Sequence, residues 1–189
     1  MRNSTIKGLL LLGIFSLLYG CKEAPKKPEK MAQEQNEANM RNNTVEKEYA
    51  QLLVEVIHDQ LYEVELGKVG LKKSQNAKLK DFAAVLQKHH QARLEKLQAL
   101  AAELEYSIPN NLSDQQWDDL NKLENQKPND FDRTWIKEVI SKHNSSVNTL
   151  VDGIEDTTNM RIKSELNETL QEVRSHLETA TQFENSLKK

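Results

Sequence analysis

The chain has 189 residues, 37% of them hydrophobic, and a formal net charge of −3 at pH 7. A mildly acidic chain of this kind lacks the basic surface by which proteins hold nucleic acid, so no nucleic-acid partner is expected. It contains one cysteine, which excludes a framework of disulfide bonds within the chain.

The first 20 residues are organised like a bacterial export signal. Arg2 and Lys7 precede an apolar run of about 11 residues, which is too short to cross a bilayer. The run ends in Leu18-Tyr19-Gly20-Cys21, where the leucine, the small glycine and the cysteine fit a lipobox. We therefore predict a lipoprotein signal peptide over residues 1–20. Cys21 would then carry the lipid that anchors the protein in the cell envelope, at the outer membrane.

The segment from 21 to 44 is rich in Lys, Glu, Pro, Gln and Asn and has few apolar residues to bury. Such a composition is typical of a disordered tether, and we predict one here. The remaining residues, 45–189, are numerous enough to form one domain with its own hydrophobic core.

Within residues 45–189 the apolar residues recur at helical spacing, which predicts an all-α domain. Helix-starting and helix-ending residues divide this part of the chain into four long helices and one short helix. The long helices are expected at about Glu46–Lys73, Leu79–Tyr106, Phe131–Glu155 and from about residue 159 to Leu187; Ser113 opens the short helix, and Asn129 or Asp130 caps the third long one.

The lengths of the connections favour one arrangement of these helices. Only a few residues separate the first two long helices, and the last two are equally close, whereas about 20 residues separate the second from the third. A connection of that length can run along a bundle of helices that are each about 40 Å long. We therefore predict a ferritin-like four-helix bundle, in which a long crossover with a short helix joins two hairpins. An up-down-up-down bundle with an ornamented loop is the alternative.

Several short motifs occur along the helical domain in an order that one family shares. They are Glu63-Val-Glu-Leu-Gly67, Asp81-Phe82-Ala83 followed by His90, Phe131-Asp132, His143 and His176. In these motifs the chain resembles the ferritin-like bacterial envelope proteins called domain of unknown function 4142. The resemblance implies a ferritin-like bundle and an exported location, and the family has no settled activity. The family usually has Asp before the histidines of the second and third helices, where this chain has His89 and Lys142.

Three histidines and one glutamate are candidate metal ligands. His90 and His143 each lie at the centre of an apolar seam, His176 lies at the edge of one, and Glu63 lies near the middle of the first helix. Because all four are near the midpoints of their helices, they are expected at one level of the bundle. Imidazole and carboxylate groups bind first-row transition metals, so Fe, Zn, Mn or Cu is the cofactor that this set predicts.

Other observations favour a role without catalysis. A core histidine that only hydrogen-bonds a neighbour is commoner than a metal ligand. The carboxylate di-iron signature fails, because the only Glu-x-x-His motif, Glu55 to His58, lies on the wrong helix face. No phosphate-binding loop, nucleophile elbow or paired-cysteine motif indicates an enzyme. We therefore favour a membrane-anchored lipoprotein with an interaction or structural role and an envelope protein as its partner, and we keep metal binding in the bundle core as the alternative.

Overall fold

The structure is a computed structural model that describes residues 27–187. In this range it contains the helices α1 (Pro28–Asn39), α2 (Thr44–Lys73), α3 (Ala77–Glu103), α4 (Asp114–Glu124), α5 (Pro128–Asp156) and α6 (Met160–Leu187). The same range holds no strand, which confirms the all-α prediction. No helix among the described residues is long and apolar enough to cross a membrane. The predicted signal peptide and Cys21 lie outside the described residues.

Most helix boundaries agree with the sequence prediction, and one helix start does not. The predicted capping box at Ser113 opens α4. The prediction that Asn129 or Asp130 caps the third long helix is wrong, because α5 begins at Pro128 with Lys127 as its cap. Proline suits the first helical position, since its fixed φ is already helical and its missing N–H would have no partner there.

Contacts at both ends of α2 show how it runs relative to α5. Near the end of α2, the Leu66 carbonyl accepts a hydrogen bond of 2.9 Å from the indole N–H of Trp135. Nearer its beginning, Glu55 accepts a hydrogen bond of 3.3 Å from the hydroxyl of Thr149. Later residues of α5 thus meet earlier residues of α2, and the two helices are antiparallel.

Helices α3 and α6 are antiparallel for the same reason. The rings of Phe82 and Phe183 lie 5.4 Å apart at one end, and Glu103 contacts Arg161 at the other.

Helix α2 is antiparallel to α3 as well, because Gly67 faces Gln87 whereas the earlier Gln60 contacts the later His90. Since α2 is antiparallel to both α3 and α5, the last two run in the same direction. The segment between them, which includes α4, must therefore span the bundle. This confirms the ferritin-like crossover and excludes the up-down-up-down alternative.

The bundle interior consists of two apolar clusters with a polar layer between them. Trp135, Leu66 and Leu79 belong to one cluster, and Leu53 and Leu97 belong to the other. The polar layer contains the buried side chains of Gln60, Glu63, His90, His143 and His176. The candidate site therefore lies in the middle of the bundle, where four helices supply side chains.

Two glycines of α2 let neighbouring groups come close to this layer. A Cβ atom at Gly67 would lie 2.9 Å from the backbone nitrogen and 3.0 Å from the Cα of Gln87 on α3. A Cβ atom at Gly70 would overlap the indole ring of Trp135. The small residues on the Glu63 face thus permit the close approach of α3 and the packing of Trp135.

Helix α1 lies in the segment for which the sequence predicts a disordered tether, and over residues 28–39 that prediction is wrong. Pro28 occupies the first turn of the helix, and Ala32 and Asn36 are buried against the domain. The amide of Asn36 donates to the Ser107 carbonyl at 2.8 Å and accepts from the Ser107 N–H at 2.7 Å. Individual side chains of α1 contact residues that are distant along the chain, so the composition of the segment does not reveal the attachment.

Candidate metal centre

Three histidines from three helices converge in the polar layer. His90 on α3, His143 on α5 and His176 on α6 are 3%, 0% and 4% exposed. Nε2 of His143 lies 3.4 Å from Nε2 of His90 and 3.4 Å from Nδ1 of His176. One ring nitrogen from each histidine lies within 4.8 Å of the other two. The structure thus brings together the three histidines that the sequence places at one level.

The partners of His90 and His143 determine which ring nitrogen carries the proton. Nδ1 of His143 lies 2.9 Å from the Val139 carbonyl, and Nδ1 of His90 lies 2.9 Å from the side-chain oxygen of Gln60. Both oxygens only accept hydrogen bonds, so Nδ1 carries the proton in each ring. When both rings are neutral, each Nε2 therefore directs a lone pair at the other.

His176 faces Nε2 of His143 with its Nδ1 atom, whereas His90 does so with Nε2. Nε2 of His176 lies 3.0 Å from Nδ1 of His89, and the two rings stack with their centroids 5.2 Å apart. When His176 Nε2–H donates to His89, the Nδ1 lone pair of His176 faces His143. The three rings can then direct three lone pairs into one space, which is unfavourable unless a proton or a cation lies between them.

The spacing of these nitrogens matches the ligand spacing around a tetrahedral metal ion. With Zn–N bonds of about 2.0–2.1 Å, two ligand nitrogens of a tetrahedral site lie about 3.3–3.4 Å apart. Two of the three nitrogen pairs, both involving His143, are already separated by 3.4 Å. The third pair, formed by His90 and His176, lies within 4.8 Å. A metal held by these three ligands would keep a fourth position for a water molecule or an anion.

Burial and neighbouring charges give the three rings different proton affinities. Burial, together with the charges of His143 and His89, lowers the pKa of His176 to about 3. Burial and the neighbouring imidazoles also lower the pKa of His90. Burial alone would lower the pKa of His143, but the carboxylate of Glu63 outweighs it and raises that pKa. Two of the rings are therefore neutral near pH 7, and a proton on His143 competes with a metal for the shared space.

The structure places Glu63 beside the histidine cluster but not among its metal-facing nitrogens. Glu63 is 2% exposed, and its Oε1 lies 3.1 Å from Nδ1 of His143, the nitrogen that faces away from the cluster. The negative charge of Glu63 raises the pKa of His143, whereas the hydrogen bond to the Val139 carbonyl orients its ring. Glu63, which the sequence predicts as a ligand, is thus positioned to act through His143.

Sequence reasoning missed two residues that orient the ring nitrogens, Gln60 and His89. Gln60 lies one turn before Glu63 on α2, and its buried position between apolar neighbours was the available signal. His89 lies next to His90, outside the apolar seam, and only the packing of α6 brings it to His176. His58 stays outside the cluster as predicted, with Nε2 3.4 Å from a carboxylate oxygen of Glu29 on α1.

Fold and site together define an all-helical, ferritin-like bundle protein with a buried cluster of three imidazoles. The chain belongs to the family described as Domain of unknown function (DUF4142), which matches residues 30–183. Among solved structures, it is similar to a crystal structure of a DUF305 fragment from Deinococcus radiodurans, with a TM-score of 0.65 and 11% sequence identity. That similarity covers 72% of this chain and 95% of the fragment, and at this identity it concerns the fold alone. No curated protein matches the chain.

Proposed function

We propose that this protein is an envelope lipoprotein whose helical bundle binds one transition-metal ion through His90, His143 and His176. The observation that carries the proposal is the convergence of three buried ring nitrogens, two pairs of them 3.4 Å apart. The hydrogen bonds of His90 and His143 support it further, because they leave Nε2 of each neutral ring without a proton.

The donor set favours some metals over others. Three neutral imidazoles suit Zn, Cu and Fe, whereas Mn prefers carboxylate and water ligands. We therefore expect Zn²⁺ or copper to bind most tightly, with Fe²⁺ weaker and Mn²⁺ weakest. The carboxylate of Glu63 balances part of the positive charge of such an ion.

The burial of the cluster favours sequestration of the metal over catalysis on a substrate. A surface groove of about 400 Å³ extends beside the cluster and is lined in part by Phe82, His89 and His176. His90 and His143 do not line this groove. A metal ion can therefore enter by displacement of the His176 ring, whereas a larger substrate would have no comparable route to it.

Metal titration of the purified full chain tests this proposal. Zn²⁺ or copper should bind with a stoichiometry of one, measured by calorimetry. At a free metal concentration of about 100 times Kd, binding should stabilise the fold by about 2.7 kcal/mol and raise the melting temperature by about 5–10 °C. His90→Ala and His143→Ala should each lose both effects, and His58→Ala, which changes a histidine outside the cluster, should retain them.

The proposal would be contradicted if Zn, Cu, Fe and Mn neither bound nor shifted the melting temperature, and if a His90→Leu variant were as stable as the wild type. The interaction or structural role would then be the favoured function. Leucine would be tolerated there if the imidazole served only to fill the core, since leucine needs no hydrogen-bond partner.

The membrane anchor is a separate part of the proposal and depends on the lipobox that ends at Cys21. Radiolabelled palmitate should be incorporated by the wild type and not by Cys21→Ser. A mutant that still takes up the label and still fractionates with membranes would refute the anchor without affecting the metal site.

A further inference from the structure

A second polar cavity lies on the other side of His143 from the histidine cluster. It has a volume of about 200 Å³ and lies between α2 and α5. Its lining includes the carboxylates of Asp59 and Glu63 and the hydroxyl-bearing residues Ser141, Ser145 and Ser146. The cavity thus presents oxygen atoms, whereas the histidine cluster presents nitrogen atoms.

Glu63 supplies a buried carboxylate with no hydrogen bond to satisfy it. The residue is 2% exposed, and neither of its carboxylate oxygens has a hydrogen-bond partner among residues 27–187. Nδ1 of His143 is 3.1 Å from Oε1, but its proton is directed to the Val139 carbonyl at 2.9 Å. His143 lies against Oε1 only, so Oε2 is buried without any partner among the described residues. Burial of such a carboxylate oxygen is costly, and a further positively charged or hydrogen-bonding group is expected beside it.

Asp59 adds a second negative charge to the same cavity. It lies one turn before Glu63 on α2, which places the two Cβ atoms about 5–6 Å apart. Burial, together with the charges of Glu63 and Glu55, raises the pKa of Asp59 to about 7. The two carboxylates therefore repel each other unless a proton or a cation neutralises them.

The nearest lysine is held by groups at the edge of this cavity. The ammonium of Lys142 lies 4.6 Å from the centroid of the Tyr62 ring and 3.8 Å from a carboxylate oxygen of Glu138. Glu138 also accepts a hydrogen bond of 3.0 Å from the Tyr62 hydroxyl. Lys142 also lines the cavity, and its charge lowers the pKa of Asp59. Its ammonium pairs with Glu138, however, and makes no ion pair with Asp59 or Glu63 in the part of the chain that the structure describes.

We propose that the cavity binds a hard divalent cation, Ca²⁺ or Mg²⁺, through the carboxylates of Asp59 and Glu63, with serine hydroxyls and water completing the oxygen ligands. Hard cations take oxygen ligands and retain part of their hydration, and a cavity of about 200 Å³ has room for an ion with several waters of about 30 Å³ each. Glu63 lies next to both sites, but the cation site uses no histidine nitrogen and therefore does not require a bound transition metal.

Calorimetric titration with Ca²⁺ and Mg²⁺ tests the inference. The protein is the full chain with His90→Ala and His176→Ala, which removes the nitrogen cluster and keeps His143. One of the two cations should bind with a stoichiometry of one and a Kd of about 0.1–1 mM, the range of extracellular calcium modules. Asp59→Asn and Glu63→Gln should each weaken binding at least about tenfold.

Two further variants show whether the cavity is responsible. Glu65→Gln removes a carboxylate of the same helix that pairs with Lys68 at 2.7 Å, and it should bind the cation as the parent does. Lys142→Gln removes the nearest positive charge and should strengthen binding by about threefold or more.

If the double-histidine variant does not fold, the same titrations are carried out on wild-type protein saturated with Zn²⁺. The inference would be overturned if neither cation bound at concentrations up to about 10 mM, which is above the dissociation constants of protein calcium sites. Equal affinity in the Glu63→Gln and Glu65→Gln variants would overturn it too. A chain that binds Ca²⁺ or Mg²⁺ but not Zn²⁺ or copper would refute the proposed function and leave this inference intact.

Discussion

Replacement of Arg93 by alanine should weaken the contact between α3 and α6 that holds His176 in place. The Arg93 side chain is 5% exposed, and its guanidinium lies 2.9 Å from Glu165, 3.0 Å from Glu168 and 3.2 Å from Glu172. Arg93 is one turn from His90, and Glu172 is one turn from His176. The ion pairs therefore fix the position of α6 beside the histidine cluster.

The loss of unfolding free energy expected for Arg93→Ala lies between the values for buried and for exposed ion pairs. Removal of one partner from a fully buried pair costs about 3–5 kcal/mol, and an exposed pair contributes about 0–1 kcal/mol. The three glutamates are 25%, 49% and 37% exposed, so water can solvate them once Arg93 is gone. Their mutual repulsion along α6 and the lost packing of the arginine stem add to the cost. We expect a loss of about 2 kcal/mol in the free energy of unfolding, or about 4–8 °C in melting temperature.

Urea unfolding followed by circular dichroism, in the presence of a chelator, measures this loss without a contribution from metal. Lys96→Ala is the matched control, because its ammonium also contacts Glu168, at 3.2 Å, but is 55% exposed. It should cost less than about 0.5 kcal/mol. Zn²⁺ affinity should also fall in Arg93→Ala, since α6 is held less firmly. An Arg93→Ala variant within about 0.5 kcal/mol of the wild type, or a Lys96→Ala variant with an equal loss, would refute this reasoning.

Two further predictions follow from the packing and the protonation of the site. Gly67→Ala should lower the urea midpoint, because its Cβ would press on the backbone of Gln87 and outweigh the gain in helix propensity of about 1 kcal/mol; a higher midpoint would contradict this. Metal affinity should fall as pH decreases below the raised pKa of His143, by about tenfold per pH unit, because one proton must leave that ring. Titrations between pH 5 and 8 measure the slope, and a slope of three protons would show that His90 and His176 are protonated too.

The sequence predicted the helices well because each depends on local information. Apolar residues at helical spacing, the capping box at Ser113 and the polar break at 74–76 all act within a few residues. The lengths of the connections also favoured the crossover topology, since a long connection can span the bundle. The start of α5 was placed wrongly because a proline in the first turn and a side-chain cap are competing local signals.

The docking of α1 and the details of the site depend on contacts between distant residues. Asn36 binds Ser107 through hydrogen bonds that no local pattern encodes. In the site, periodicity placed His90 and His143 on the inner faces of their helices. For Glu63 the sequence indicated only a level near the middle of the helix, because α2 packs against other elements on several faces and has more than one apolar stripe.

By itself, the sequence determined that this protein is an all-helical bundle with histidines on its inner seams, because hydrophobic periodicity fixes which face of a helix is buried. Only the tertiary structure decided which nitrogen atoms meet. The rotation and axial position of α6 bring Nδ1 of His176 within 3.4 Å of Nε2 of His143. They depend on packing and ion pairs across the whole interface, of which Arg93 and its three glutamates are one part. A ligand geometry accurate to a few tenths of an ångström arises from that packing and cannot be obtained from spacing along one chain.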